Sequence, residues 1–202
     1  MENSNLSSQI PPVETLEERF LFIEDLVLRR HVALTFQYVV FLIAVIDQEE
    51  IEDTTVGSTM HKSMIIHTGS IIEGCLHYCL QIYLETGKIT ESGVLGVGKK
   101  LTKQKELHKI SDTQILCSAF EITEPKKYSS DIQFQNLMRA CKKARILTDS
   151  TLKKADDIRK ERNKIHLAGL GEIEMVYKKL DAQKVFEDAS AILTRIETVL
   201  SR

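Results

Sequence analysis

The residues of this chain best suited to chemistry sit close together in Asp156-Asp157-Ile158-Arg159-Lys160-Glu161-Arg162-Asn163-Lys164-Ile165-His166-Leu167. On a helix turning about 100° per residue, Arg159, Arg162 and His166 fall within about 60° of one another, so two guanidinium groups and one imidazole share a face. A guanidinium grips carboxylate or phosphate oxygens with paired N–H groups, and an imidazole exchanges its proton near neutral pH. Asn163 places an amide among them. Ile158 and Ile165, seven residues apart, give the same helix an apolar stripe by which a bundle can hold it.

The elements that must position this stretch read as helices. The helix itself is expected from about Thr151 to Leu167, after a capped turn at Leu147-Thr148-Asp149-Ser150 and before Gly169 and Gly171. A first long helix is expected from Val13 through Phe20, Ile23 and Val27 into the dense apolar run Val32 to Ile46, with a bend near Arg30-His31 and the second half buried nearly all round. A second runs from Ser58 or Thr59 to about Glu85, stopped by Thr86-Gly87. On it, Glu73 and His77 lie one turn apart and close to the apolar positions. A carboxylate buried there needs a partner, and Arg159 and Arg162 are the candidates.

Gly93-Val94-Leu95-Gly96-Val97-Gly98 lacks the Gly-Lys-Ser/Thr ending of a phosphate loop and reads as a mobile connector. Lys99 to Glu121 reads as helix, broken at Ser111-Asp112, although Ile115-Leu116-Cys117 also suits a strand. A further helix starts at Ser130 or Asp131, turning Phe134, Leu137, Met138 and Cys141 inward and Arg139, Lys142, Lys143 and Arg145 outward. Glu172 to Leu180 suits a short extended piece or loop, and a last helix spans Asp181 to Leu200. The expected fold is all-α, an up-and-down bundle of about five to six helices. Residues 1–12 form a polar, disordered tail ending in Pro11-Pro12, and residues 13–202 form one domain.

Composition narrows the field. Only three prolines and nine glycines interrupt the chain, which favours helix, and the absence of Trp points to an aliphatic core. The formal charge is −2, yet Lys126 to Lys164 holds twelve Lys/Arg against five Asp/Glu, which can place a basic face on an otherwise acidic molecule. Cys75, Cys79, Cys117 and Cys141 have no zinc spacing, so core packing is expected, with no metal or cofactor. Without a disulfide framework or a signal-peptide pattern, the expected compartment is the cytoplasm. Val32 to Ile46 is shorter than the roughly twenty residues a membrane span needs and contains Gln37, so a core helix is expected and no membrane partner.

The stretch around Arg159 also resembles the HEPN superfamily, the higher eukaryotes and prokaryotes nucleotide-binding domains, which are small helical bundles recurring as ribonucleases, toxins and companion proteins. Their mark is an Arg, four to six residues, then a His, with Asn, Asp or His commonly after the Arg. Here Arg159 and His166 enclose six residues, whereas the Arg-Asn dipeptide is Arg162-Asn163, with three residues between Arg162 and His166. The order of elements, with the motif on the penultimate helix, is similar too.

That resemblance implies metal-independent cleavage of RNA at a composite site across a two-fold homodimer. His166 would act as general base or acid, and Arg159, with or without Arg162, would bind phosphate oxygens and offset the charge of the transition state. Asn163 would orient a phosphate, a water or the imidazole. The resemblance equally covers catalytically inactive modules that bind RNA or nucleotides or pair with a toxin or antitoxin. In such a module Arg162 and Asn163 hold helices together, by bonds to Glu73 or to backbone carbonyls.

Overall fold

The computed structural model describes residues 10–164 and 177–201, and for residues 97–107 and 115–125 the backbone alone. The chain is a mostly helical bundle. Its elements are α1 (Val13–Glu17), α2 (Leu26–Glu49), α3 (Thr55–Glu85), α4 (Glu91–Leu95), β1 (Val97–Lys109), β2 (Ile115–Pro125), α5 (Phe134–Lys143), α6 (Asp149–Lys164) and α7 (Lys179–Leu200). A single 3-10 turn, Glu18–Phe20, follows α1.

The long helix α3 is the axis of the bundle and packs against α2, α5, α6 and α7. Its buried face includes Ile65, Ile72, Leu76 and Leu80, which meet Leu137 of α5, Ile158 of α6 and Ile192 and Ile196 of α7. All are aliphatic and essentially without solvent contact, as a Trp-free core requires. Cys75, Cys79 and Cys141 are buried in the same core. Burial pushes the Cys75 and Cys79 thiols up to about 12, so both remain protonated and behave as small apolar side chains.

The first helix does not bend at Arg30-His31 as expected; it breaks at residues 21–25. Phe20 and Ile23 both turn into the core, and the Ile23 amide donates to the Phe20 carbonyl at 2.9 Å. The Asp25 carboxylate then accepts from the Val27 and Leu28 amides, each at 2.9 Å, and starts α2 as its N-cap. Nor is the apolar second half of α2 buried all round. Leu34 and Tyr38 are 43 % exposed and Ile43 37 %, because α1 and α3 cover only one side of the helix. By length and hydropathy alone α2 could cross a membrane, and 33 % of its most apolar window is buried in the bundle. Pro11 and Pro12, expected in the tail, are tied to the bundle: Gln37 donates to the Pro11 carbonyl at 3.0 Å and Thr15 to that of Pro12 at 3.1 Å.

The largest departure is at Lys99 to Glu121. In place of helix, β1 and β2 form an antiparallel hairpin, paired from Val97 with Pro125 to Lys109 with Ile115, with irregularities after Leu101 and Glu106. The lysines, Gln104 and Glu106 of β1 favour helix locally, but Ile115, Phe120, Ile122 and Thr123 favour an extended partner, and pairing overrides propensity. The turn is closed by Ile110 donating to the Gln114 carbonyl at 2.9 Å and by a Lys109–Asp112 pair at 2.8 Å. Gly87 and Gly96, with φ of 70° and 77°, let the chain leave α3 and enter β1. Between them Thr90 caps α4, so this connector is built rather than loose.

The start of α6 is fixed by a reciprocal pair of threonines. The Thr148 amide donates to the Thr151 hydroxyl at 2.9 Å and the Thr151 amide to the Thr148 hydroxyl at 3.2 Å. At the other end of the preceding loop, Arg195 of α7 donates to the carbonyls of Arg145 and Ile146 at 2.8 and 3.0 Å. The last helix starts two residues before the expected Asp181, whose carboxylate accepts from the Lys178 amide at 2.9 Å.

Because Asp25 satisfies two amides that α2 otherwise leaves open, Asp25→Ala should cost ~1 kcal/mol and lower the melting temperature by roughly 2–4 °C, while Asp25→Asn should stay close to wild type. Thermal denaturation followed by circular dichroism reads both, and an unchanged Asp25→Ala melt contradicts the cap.

Candidate functional site

The C-terminal half of α6 lies on one face of α3 defined by three residues four apart: Gly69, Glu73 and His77. Ala155 and Ile158 of α6 are fully buried toward the core, which fixes the rotation of the helix. A Cβ built on Gly69 would lie 3.3 Å from Cδ of Arg162 and 3.5 Å from Cγ2 of Ile158. The missing side chain at Gly69 is therefore what lets the Arg162 stem cross α3 at close range. Beyond it the Arg162 guanidinium donates through Nη1 to Oε2 of Glu73. The Arg162 and Glu73 side chains are 28 % and 23 % exposed, so this ion pair is largely shielded from water.

The pairing of Glu73 with one of the two candidate arginines is thus found, and the partner is Arg162. Arg159 is engaged elsewhere. Its Nε and Nη2 both donate to Oδ1 of Asp156, at 2.9 and 2.8 Å, one turn back on the same helix. Lys160 reaches the other oxygen of that carboxylate at 2.8 Å. Hydrogen bonds from Lys160 first and Arg159 second hold the Asp156 carboxyl below the usual carboxylate range. Asn163 faces solvent, and among the described residues its side chain has no partner. His166, together with Gly169, Gly171 and most of the expected extended piece Glu172 to Leu180, falls outside the described residues.

The third residue of the α3 face has a partner that the sequence alone did not suggest. His77 Nδ1 lies 2.7 Å from the Tyr128 hydroxyl, and the rings meet at a tilt with centroids 5.9 Å apart. Burial lowers the His77 pKa, and the nearby Glu73 carboxylate pulls it partly back. Burial also lifts the Tyr128 hydroxyl to about 12. Tyr128 stands in an irregular segment far away in sequence, where no periodicity signals a contact; only the polar character of His77 on an apolar face hinted that something must meet it.

Chemically, the arrangement is two arginines whose charge is already answered within the chain. Guanidinium groups so held keep a fixed pose, but little of their positive charge is left for a bound anion. Among the described residues no group of three His, Cys, Asp or Glu side chains converges as metal ligands would. This chain matches no protein-family model, curated protein or solved structure.

His77 ties the site to pH. Its folded-state pKa lies below the ordinary 6.5, so below that value the unfolded chain binds more protons than the folded one. The stabilisation is complete above pH 6.5 and drains away as pH falls through the lowered value. Melting temperatures measured between pH 7.5 and 5 should fall more steeply for the wild type than for His77→Gln. Parallel curves would show that His77 carries no such linkage.

Proposed function

We propose that this chain is a helical RNA- or nucleotide-binding module of the HEPN kind in which Arg162 ties α6 to α3, Arg159 pairs within α6, and neither acts on a substrate. One observation carries the reading: each guanidinium is spent on a carboxylate of its own chain, Arg159 on Asp156 and Arg162 on Glu73. Cleavage of RNA needs cationic groups that answer charge as it develops on phosphorus, and a cation already neutralised contributes little to that. The binding half of the reading is supported by the Arg-Asn-x-x-His resemblance and by the +7 balance of residues 126–164 within a chain of charge −2.

A second reading, metal-independent RNA cleavage at a composite site in a homodimer, is supported by Asn163. Its amide stands in solvent beside the two arginines, where it could meet a second copy or a phosphate. This reading requires dimers and an active His166.

Incubating the purified chain with structured RNA in EDTA separates the two. The binding module leaves RNA intact, and Arg162→Ala lowers the melting temperature by roughly 2–10 °C through loss of a shielded charged hydrogen bond. Cleavage to cyclic phosphate ends, abolished by His166→Ala and Arg159→Ala with no change in melting temperature, would establish the ribonuclease instead.

A further inference from the structure

Not all cations of the basic segment are spent. Past β2, the chain runs back beside α5, closed at its start by the Lys126 amide donating to the Gly96 carbonyl at 3.1 Å. Tyr128 pins it from two sides: its amide donates to Glu91 of α4 at 2.7 Å, and its hydroxyl meets His77 of α3. This segment, α4, α5 and the first turn of α6 enclose a cleft of about 750 Å³.

Five cations line the cleft: Lys126 and Lys127 from the returning segment, and Arg139, Lys142 and Lys143 from α5. Lys142 pairs with Asp149 at 2.7 Å. Among the described residues the other four have no carboxylate partner, and no acidic side chain lines the cleft. Asn136 adds a neutral hydrogen-bonding group, Ser129 already donates its hydroxyl to Asp131, and Val94, Leu95, Ile132 and Leu152 supply an apolar floor. Unanswered like charges on one concave wall concentrate positive potential, which an anion relieves. Cationic walls over an apolar floor suit a ligand with phosphate at one end and a flat, less polar body at the other.

We propose that this cleft binds the phosphate groups of RNA or of a nucleotide, with Arg139, Lys143, Lys126 and Lys127 on the phosphate oxygens and the apolar floor under ribose or base. The proposal deepens the RNA- or nucleotide-binding reading and rests on it. Arg139 and Lys143 are one turn apart on the exposed side of α5, so neighbouring phosphates can engage both. From Leu152 to Arg162 along α6 is ~15 Å, the span of about four phosphates of a stacked strand, so a strand held in the cleft can also pass Asn163.

The test uses the full chain, a fluorescent single-stranded RNA of about ten nucleotides and, separately, ATP, at low and at physiological salt. Arg139→Glu with Lys143→Glu should weaken strand binding by about tenfold or more and flatten its salt dependence. Lys184→Glu, an exposed charge change on α7, should leave affinity as it is. If ATP binds as well as the strand and is lost in the same double variant, the cleft takes a nucleotide and the proposal stands. Undiminished strand and ATP binding by the double variant overturns the cleft but leaves the binding reading intact. Failure of the wild type to bind either overturns both. Should the glutamate variant melt early, Arg139→Gln with Lys143→Gln carries the same comparison with a smaller charge change.

Discussion

The seating of α6 on α3 includes one shielded ion pair, between Glu73 and Arg162, laid across α3 where Gly69 leaves no side chain in the way. A Cβ at Gly69 would lie 3.3 Å from Cδ of Arg162, a tight contact that the arginine stem would have to ease by shifting. The burial of Ala155 and Ile158 sets the rotation of α6, which brings Arg162 over Gly69 and leaves Asn163 in water. One turn further along the same face of α3, His77 holds Tyr128 and with it the segment that closes the cationic cleft. A single row of three residues on α3 therefore orders two surfaces that are distant in sequence.

The cations between Lys126 and Lys164 divide accordingly. On α6 five of six are answered: Arg159 and Lys160 by Asp156, Arg162 by Glu73, Lys164 by Glu161 and Lys154 by Asp188 of α7, while Lys153 has no acidic partner among the described residues. Such pairs, where exposed, add little stability, but they remove free charge from the helix that carries the arginine motif. Around the cleft the opposite holds. Four of five cations there have no described acidic partner, so unpaired positive charge gathers at α5 and the segment before it more than on α6.

Much of this architecture could be read from the chain, and the rest could not, for identifiable reasons. Helices α3, α5 and α7 follow from apolar spacing and from stops such as Thr86-Gly87, and the need of Glu73 for a cation follows from its place beside buried positions. What separates Arg162 from Arg159 as its partner is the rotation of α6 fixed by the buried Ala155 and Ile158, which turns Arg162 toward α3 over Gly69. The hairpin was hidden because β1 is rich in residues that favour helix, and only its pairing with β2 makes it extended. The break before α2 was masked by the apolar residues on either side of Glu24-Asp25, although Asp25 supplied the cap. The cleft showed in the sequence only as an excess of charge, since its convergence depends on a turn of irregular chain anchored by Tyr128.

The measurement that tests this account most directly is a double-mutant cycle on Glu73→Gln and Arg162→Gln, followed by chemical denaturation. If the two side chains form the shielded pair that sets α6 on α3, their coupling is ~1–3 kcal/mol and Arg162→Gln leaves RNA affinity unchanged. A coupling near zero, accompanied by lost RNA binding or cleavage in Arg162→Gln at full stability, would contradict it and return Arg162 to the working surface of the protein.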